Sequence, residues 1–126
     1  TRCATRCPGV GGATWPASDV RLDVGSPPAQ AFATDVRLAA EGAFVCVVWE
    51  DDRNGAADIY ANVSTDLGVT WRASDERLDS GSVPGASVSQ DPRVAVSGGA
   101  IYVAWRETDL PGIVNPDLHF NRSLDG

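Results

Sequence analysis

The chain has 126 residues, with 17 acidic side chains against 10 cations and a net charge of −7. Its length fits one domain or part of one. No basic stripe is present to neutralise phosphate, so nucleic acid and anionic membrane are excluded as expected partners.

Every cation is arginine, and aspartate outnumbers glutamate by 13 to 4. Aspartate closes turns through local bonds to backbone, so this bias points to a loop-rich all-β chain. Residues 1–10 match nothing later in the chain and read as a non-matching end. With no methionine anywhere, Thr1 is expected to be an internal or processed start. Cys3 and Cys7 lie in this end, and Cys46 lies in an apolar run. Three cysteines give no closed disulfide framework, and no second Cys or His cluster completes a zinc site.

From residue 11 onward, strands and turns alternate. A strand is expected over 14–22, followed by four more over 33–40, 43–49, 58–64 and 70–78. Turn-formers separate these runs: Glu41-Gly42, Asn54-Gly55, and Asp66-Leu67-Gly68. A Gly/Ser/Pro-rich connection follows from 79 to 89. The apolar run 43–49 suits a buried strand and is too short to span a bilayer, so no membrane insertion is expected.

The chain then repeats itself. Gly12-Ala13-Thr14-Trp15 returns 56 residues later as Gly68-Val69-Thr70-Trp71. The same offset relates Arg21-Leu22-Asp23 to Arg77-Leu78-Asp79, Asp35-Val36-Arg37 to Asp91-Pro92-Arg93, and Trp49 to Trp105. Asp58–Ser64 returns at Asp117–Ser123 with the offset grown to 59. Near-continuous apolarity in 44–49 and 101–105 means that both faces of these strands are covered. Four antiparallel strands per period, covered on both faces, describe a β-propeller blade.

The stretch STDLGVTW at 64–71 resembles the Asp-box, or bacterial neuraminidase repeat, pattern S-x-D-x-G-x-T-W. Ser64, Asp66, Gly68, Thr70 and Trp71 match it, and Ser123, Asp125 and Gly126 begin a further copy. The chain from about residue 11 is similar to sialidase-type β-propellers. The resemblance implies an all-β fold: a fragment of about two antiparallel four-stranded blades from a six-bladed parent. A complete blade would span 33–78 and a partial blade 89–126, with 14–22 as an outer strand. It also implies a secreted or cell-surface location, the remaining blades as partners, and glycans as ligands. In such repeats the Asp-box is a turn on the rim away from the ligand face. The residues agree, because Asp66 is placed to accept backbone N–H bonds and no base adjoins it.

Features shared by both repeats belong to the scaffold. This applies to the four tryptophans, to Arg37 and Arg93, and to His119, which aligns with Tyr60. The sequons at Asn62 and Asn121 recur at one position and read as strand-end asparagines. Unrepeated loop residues are the candidate ligand contacts: Asp51, Asp52, Arg53, Gln90, Glu107 and Asp109. No catalytic residue and no cofactor is expected. Glu50, Asp51, Asp52 and Asn54 partly imitate a calcium loop. Position twelve of such a loop would be Ala61, where a bidentate Glu is required, so only a looser calcium site is left as an alternative. The rival reading is part of a sialidase-like hydrolase whose catalytic residues lie mostly outside this chain, and a second alternative is a short lectin that closes a propeller by oligomerising. The arginine cluster, Tyr–Glu nucleophile pair and Asp acid/base that this resemblance implies match no motif here.

Overall fold

The computed structural model describes residues 14–109 and 115–125, which form seven strands and no helix. The strands are β1 Ala33–Glu41, β2 Phe44–Asp51, β3 Asp58–Ser64, β4 Glu76–Arg77, β5 Ser87–Ser97, β6 Ala100–Asp109 and β7 Asp117–Ser123. They make two antiparallel sheets, β1-β2-β3-β4 and β5-β6-β7, each a simple up-and-down order. The calls on residues 1–10 and Gly126 fall outside the described residues.

Strand alternation sends β2 and β3 side chains to two faces, and both are buried. On one face Cys46, Val48, Ile59, Ala61 and Val63 pack against Ile101, Val103 and Trp105 of β6, which joins the two sheets through a common core. On the other face Val47, Trp49 and Tyr60 pack with Leu22 and Trp71. Burial of this kind contributes on the order of 2 kcal/mol per large apolar side chain. Hydrogen bonds also cross between the sheets: Ser89 N–H donates to Ala57 O at 2.8 Å, and Gly98 N–H donates to Glu41 Oε1 at 2.7 Å.

The repeat is physical as well as textual. In both sheets the first strand slips register by a bulge, between Thr34 and Arg37 and between Gln90 and Arg93. Each bulge holds an aspartate in the left-handed region, Asp35 at φ 51° and Asp91 at φ 54°. Asp tolerates this conformation better than most residues. Pro92 is fully buried at the second bulge, one of the few sheet positions where a missing N–H is harmless. Trp49 stacks on Tyr60 with ring centroids 6.5 Å apart, and Trp105 stacks on His119 at 6.2 Å. The arginines before each long connection repeat a clamp. Arg21 donates to Asp23 O and Ser26 O, and Arg77 donates to Asp79 O and Ser82 O.

Two strand expectations need correction. Residues 14–22 form no strand, and the expected strand over 70–78 shrinks to Glu76–Arg77. The cause of the second lies in Asn62. Its Oδ1 accepts the Arg72 N–H at 3.1 Å while its Nδ2 donates to Arg72 O. The Arg72 N–H is shared between this side chain and the Val63 carbonyl at 3.3 Å, so Arg72 makes no regular rung, and the ladder resumes at Tyr60–Arg77 and Ala61–Glu76.

Candidate functional site

The end of the sheets where β2 leads into β3 gathers most of the buried charge. Asp51 is fully buried at the end of β2. Its carboxylate accepts Trp49 Nε1–H at 3.0 Å, the Arg53 N–H at 3.0 Å, and both Nε and Nη2 of the Arg53 guanidinium at 3.0 and 2.7 Å. The other edge of that guanidinium forks onto Asp75 at 3.0 and 2.7 Å. Its plane lies 3.8 Å from the centre of the Tyr60 ring. Burial alone would raise the Asp51 pKa, but the Arg53 and Trp49 hydrogen bonds hold it below the ordinary value. Arg53 is opposed by burial and held charged by its two carboxylates. Packing here is tight: a Cβ on Gly25 would collide with Arg53 Nη1.

Beside this network, the two bulges and the end of β2 bring together the carboxyl groups of Asp35, Glu50 and Asp91, with one oxygen from each within 4.8 Å of the others. Glu50 is 6% exposed, whereas Asp35 and its neighbours on β1 face solvent. Burial, then a hydrogen bond shared with Asp35, pushes Glu50 up to about 7. Glu50 Oε2 accepts the Asp91 N–H at 2.9 Å, tying the sheets together. The repeat explains the crowding. Arg106 occupies the position equivalent to Glu50, and its Nε meets Asp91 Oδ2 at 2.7 Å. The first sheet therefore faces its bulge aspartate with a carboxyl where the second uses a guanidinium. Three carboxylates are hard-cation donors, but a calcium ion takes six to eight oxygens, and the arginine already compensates one of these.

A second carboxyl pair lies between the sheets. Asp79, buried at the end of the segment after β4, accepts Ile59 N–H at 3.2 Å and Ser89 Oγ–H at 2.8 Å. Burial, then the adjoining Asp58, pushes it up to about 6. Arg77 Nη1 lies 3.3 Å from Asp79 and 3.8 Å from Asp58. Asn54 Nδ2 donates to Asp58 at 3.0 Å and to the Tyr60 hydroxyl at 2.8 Å.

Comparison with protein-family models, with curated proteins and with solved structures returned no match to this chain.

The structure sorts the loop residues singled out from the sequence. Asp51 and Arg53 are internal and fully engaged, and so not free to meet a ligand. Glu107 is also buried, accepting Ser87 Oγ–H at 2.6 Å and Trp105 Nε1–H at 3.2 Å. Burial would raise its pKa, but these bonds lower it. Asp52 accepts Phe32 N–H at 2.8 Å and stays half-exposed, Gln90 is half-buried opposite Arg106, and Asp109 is exposed at the end of β6. Asp35 and Asp91 escaped notice because they repeat. Glu50 was seen only as the first residue of a failed calcium loop.

Residues 64–71 form a closed turn. Ser64 Oγ–H donates to Asp66 Oδ1 at 2.8 Å and accepts the Gly68 N–H at 2.9 Å. Asp66 accepts Thr70 N–H at 2.8 Å and Thr70 Oγ1–H at 2.5 Å. Trp71 Nε1–H reaches Gly68 O at 3.0 Å. Leu67 and Gly68 both have positive φ, 64° and 84°. Glycine suits its position, and leucine is held there by the bonds on either side. The Thr70 bonds, then that from Ser64, bring Asp66 down to about 2. Ser123 Oγ–H repeats the first bond with Asp125 Oδ1 at 2.9 Å. Replacing Asp66 with Ala is expected to abolish amide-exchange protection at Thr70 while leaving β2 and β3 protected. Unchanged Thr70 exchange would show that the aspartate does not close the turn.

The sequon asparagines are structural. Asn62 is buried and its Nδ2 donates to Leu22 O at 3.2 Å, as Asn121 Nδ2 donates to Leu78 O at 2.9 Å. Cys46 is a buried free thiol, pushed up to about 11 chiefly by burial. It is unsuited to nucleophilic work, which needs the thiolate.

Proposed function

We propose that this chain is a non-catalytic segment of a sialidase-like β-propeller, serving outside the cell as a scaffold or carbohydrate-binding module. The observation that carries the reading is the recurrence of the same hydrogen bonds at repeat-equivalent positions: the Trp–carboxylate bond, the arginine clamp, the asparagine bridge and the Ser–Asp turn bond. Groups used twice at equivalent places hold sheets together. The turn at 64–71 supports the Asp-box resemblance, since each residue of the motif is engaged in closing it.

A hydrolase working through a covalent intermediate needs a nucleophile with an orienting partner. Tyr60 lies under Arg53, burial raises its pKa, and its hydroxyl accepts from Asn54. Tyr102 stacks on Phe120 at 6.4 Å. Glu50 and Asp79 are carboxyls pushed up toward neutrality, and both are buried, Glu50 against Asp35 and Asp91 and Asp79 against Asp58. The exposed carboxylate of Asp109 and the partly exposed side chains of Asp52 and Gln90 suit hydrogen bonding to sugar hydroxyls. Retention of the chain on a glycan array, with no release of fluorophore from a sialoside, is the expected result. Release of fluorophore above the rate of an Glu50→Gln variant would overturn the non-catalytic reading.

A further inference from the structure

The four asparagines of this chain differ in how open they are to attack by their own backbone. An asparagine loses its amide when the nitrogen of the next residue attacks Cγ, so that next residue decides the outcome. Asn115 precedes Pro116, whose nitrogen has no hydrogen to give up. Asn62 and Asn121 lie in β3 and β7, followed by Val63 and Arg122. In both, the next N–H already donates to the asparagine's own Oδ1 at 2.8 Å. Asn54 is followed by Gly55 in the exposed turn between β2 and β3. Gly55 has φ 111°, and a Cβ there would meet nothing. No side chain shields the Gly55 nitrogen.

The closed turn engages both groups that would react. Gly55 N–H donates to Asp52 O at 3.0 Å. Asn54 Nδ2 donates to Asp58 Oδ2 at 3.0 Å and to the Tyr60 hydroxyl at 2.8 Å. The attacking N–H is committed to another carbonyl, and the departing amide is tied to two partners. These bonds also belong to the contact between the sheets. Asp58 is fully buried and accepts Gly85 N–H at 3.2 and 3.1 Å. Gly85 lies so close to the turn that a Cβ on it would collide with Asn54 O. The connection over 79–89 is thus seated on the Asn54 turn, and Ser89 at its end bonds Ala57.

We infer that Asn54 is a deamidation site gated by the fold: the closed turn withholds the reaction, the opened turn allows it, and the product keeps the turn from closing. Gly55 N attacks Asn54 Cγ and forms a C–N bond. Its proton passes through solvent to the departing nitrogen, the Cγ–Nδ2 bond breaks, and ammonia leaves. Water then opens the cyclic imide at either carbonyl, which leaves aspartate or isoaspartate at position 54. A carboxylate there accepts only. The Tyr60 hydroxyl can turn to donate to it, but Asp58 cannot, and two carboxylates so close oppose each other's charge. The neighbouring arginines are already engaged: Arg77 lies 3.3 Å from Asp79 and 3.8 Å from Asp58, and Arg53 is held by Asp51 and Asp75. Isoaspartate also adds a methylene to the backbone that Gly85 packs against. The inference uses only the turn and its contacts, so it stands or falls apart from the propeller reading.

The experiment follows peptide masses while the chain is incubated in mildly alkaline buffer, with exchange of NH2 for OH marking the site. Folded wild-type chain is expected to react at Asn54 at least about tenfold more slowly than the same chain in urea. Tyr60→Phe removes one partner of the amide and keeps the ring. It is expected to react about fivefold faster than the wild type in native buffer, the effect of one lost hydrogen bond. Asn62 and Asn121 are expected to stay intact in the folded chain. Asn54→Asp stands for the product; amide exchange at Gly85 and Ser89 is expected to accelerate in it while β6 and β7 keep their protection. If that variant does not fold, the same exchange is read on the deamidated fraction of aged wild-type chain. No reaction at Asn54 in urea, equal rates in urea and buffer, or a Tyr60→Phe rate equal to the wild type would overturn the gate. Unchanged exchange at Gly85 in the product would overturn its coupling to the sheets.

Discussion

Replacing Asp51 with alanine is expected to destabilise the fold by about 3–5 kcal/mol, because it strands a buried guanidinium and a buried indole N–H at once. The carboxylate is fully buried and accepts four hydrogen bonds, three of them from Arg53. Asp75 would still hold one edge of the guanidinium, but Nε and the inner side of Nη2 would face only Trp49, Tyr60 and the emptied space. Asp51→Asn keeps an acceptor for the indole and is expected to fall between the wild type and the alanine variant. The control is Asp23→Ala, which removes a partly exposed partner of Arg21 and is expected to cost less than about 1 kcal/mol. Urea denaturation followed by tryptophan fluorescence checks all three. If the Asp51 and Asp23 variants lose similar stability, the Asp51–Arg53–Asp75 network contributes nothing beyond a surface pair.

The strands that could be read from the sequence are those whose pairing is carried by backbone and whose faces are apolar. Residues 33–40, 43–49 and 58–64 come close to β1, β2 and β3, because β-branched and aromatic runs between Gly turns leave little else for them to form. The strand expected over 70–78 is shortened where Asn62, from another strand, bonds the Arg72 N–H and carbonyl and shares that N–H with Val63 O, a long-range choice no local pattern records. Residues 14–22 have the right sequence for a strand and no strand to pair with among the described residues. The turn at 64–71 was fully legible, since its bonds connect residues at most four apart.

The charged end of the sheets was read less well. By sequence Asp51 and Arg53 are candidate ligand contacts, yet Trp49-x-Asp51 and Trp105-x-Glu107 share a spacing that aims an indole N–H at a carboxylate. That repeated spacing was a usable signal for burial. Glu50 and Asp79 gave none, because their crowding depends on bulge geometry and on a contact between sheets.

Those two groups, with their opposites, set the expected dependence of stability on pH. Glu50 and Asp79 have folded pKa values of about 7 and about 6, above their ordinary 4.5 and 3.8. The folded chain holds these protons more tightly than the unfolded chain does. Their stabilising effect is full below the ordinary values and is lost as pH rises through 6 and 7. Asp51, Asp66 and Glu107 lie below their ordinary values, so their effect is present at neutral pH and fades as pH falls below about 4. Stability should therefore peak between roughly pH 4.5 and 6 and decline on both sides. Glu50→Gln preserves an acceptor for the Asp91 N–H and can donate to Asp35 without titrating. It is expected to flatten the decline between pH 5 and 8, making the variant more stable than the wild type at pH 8 by on the order of 2 kcal/mol. Denaturation midpoints measured across this range for both proteins give the test. Parallel curves above pH 5 would mean that Glu50 titrates as freely in the folded chain as in the unfolded one, and that the carboxyl cluster at the bulges exerts no strain on the fold.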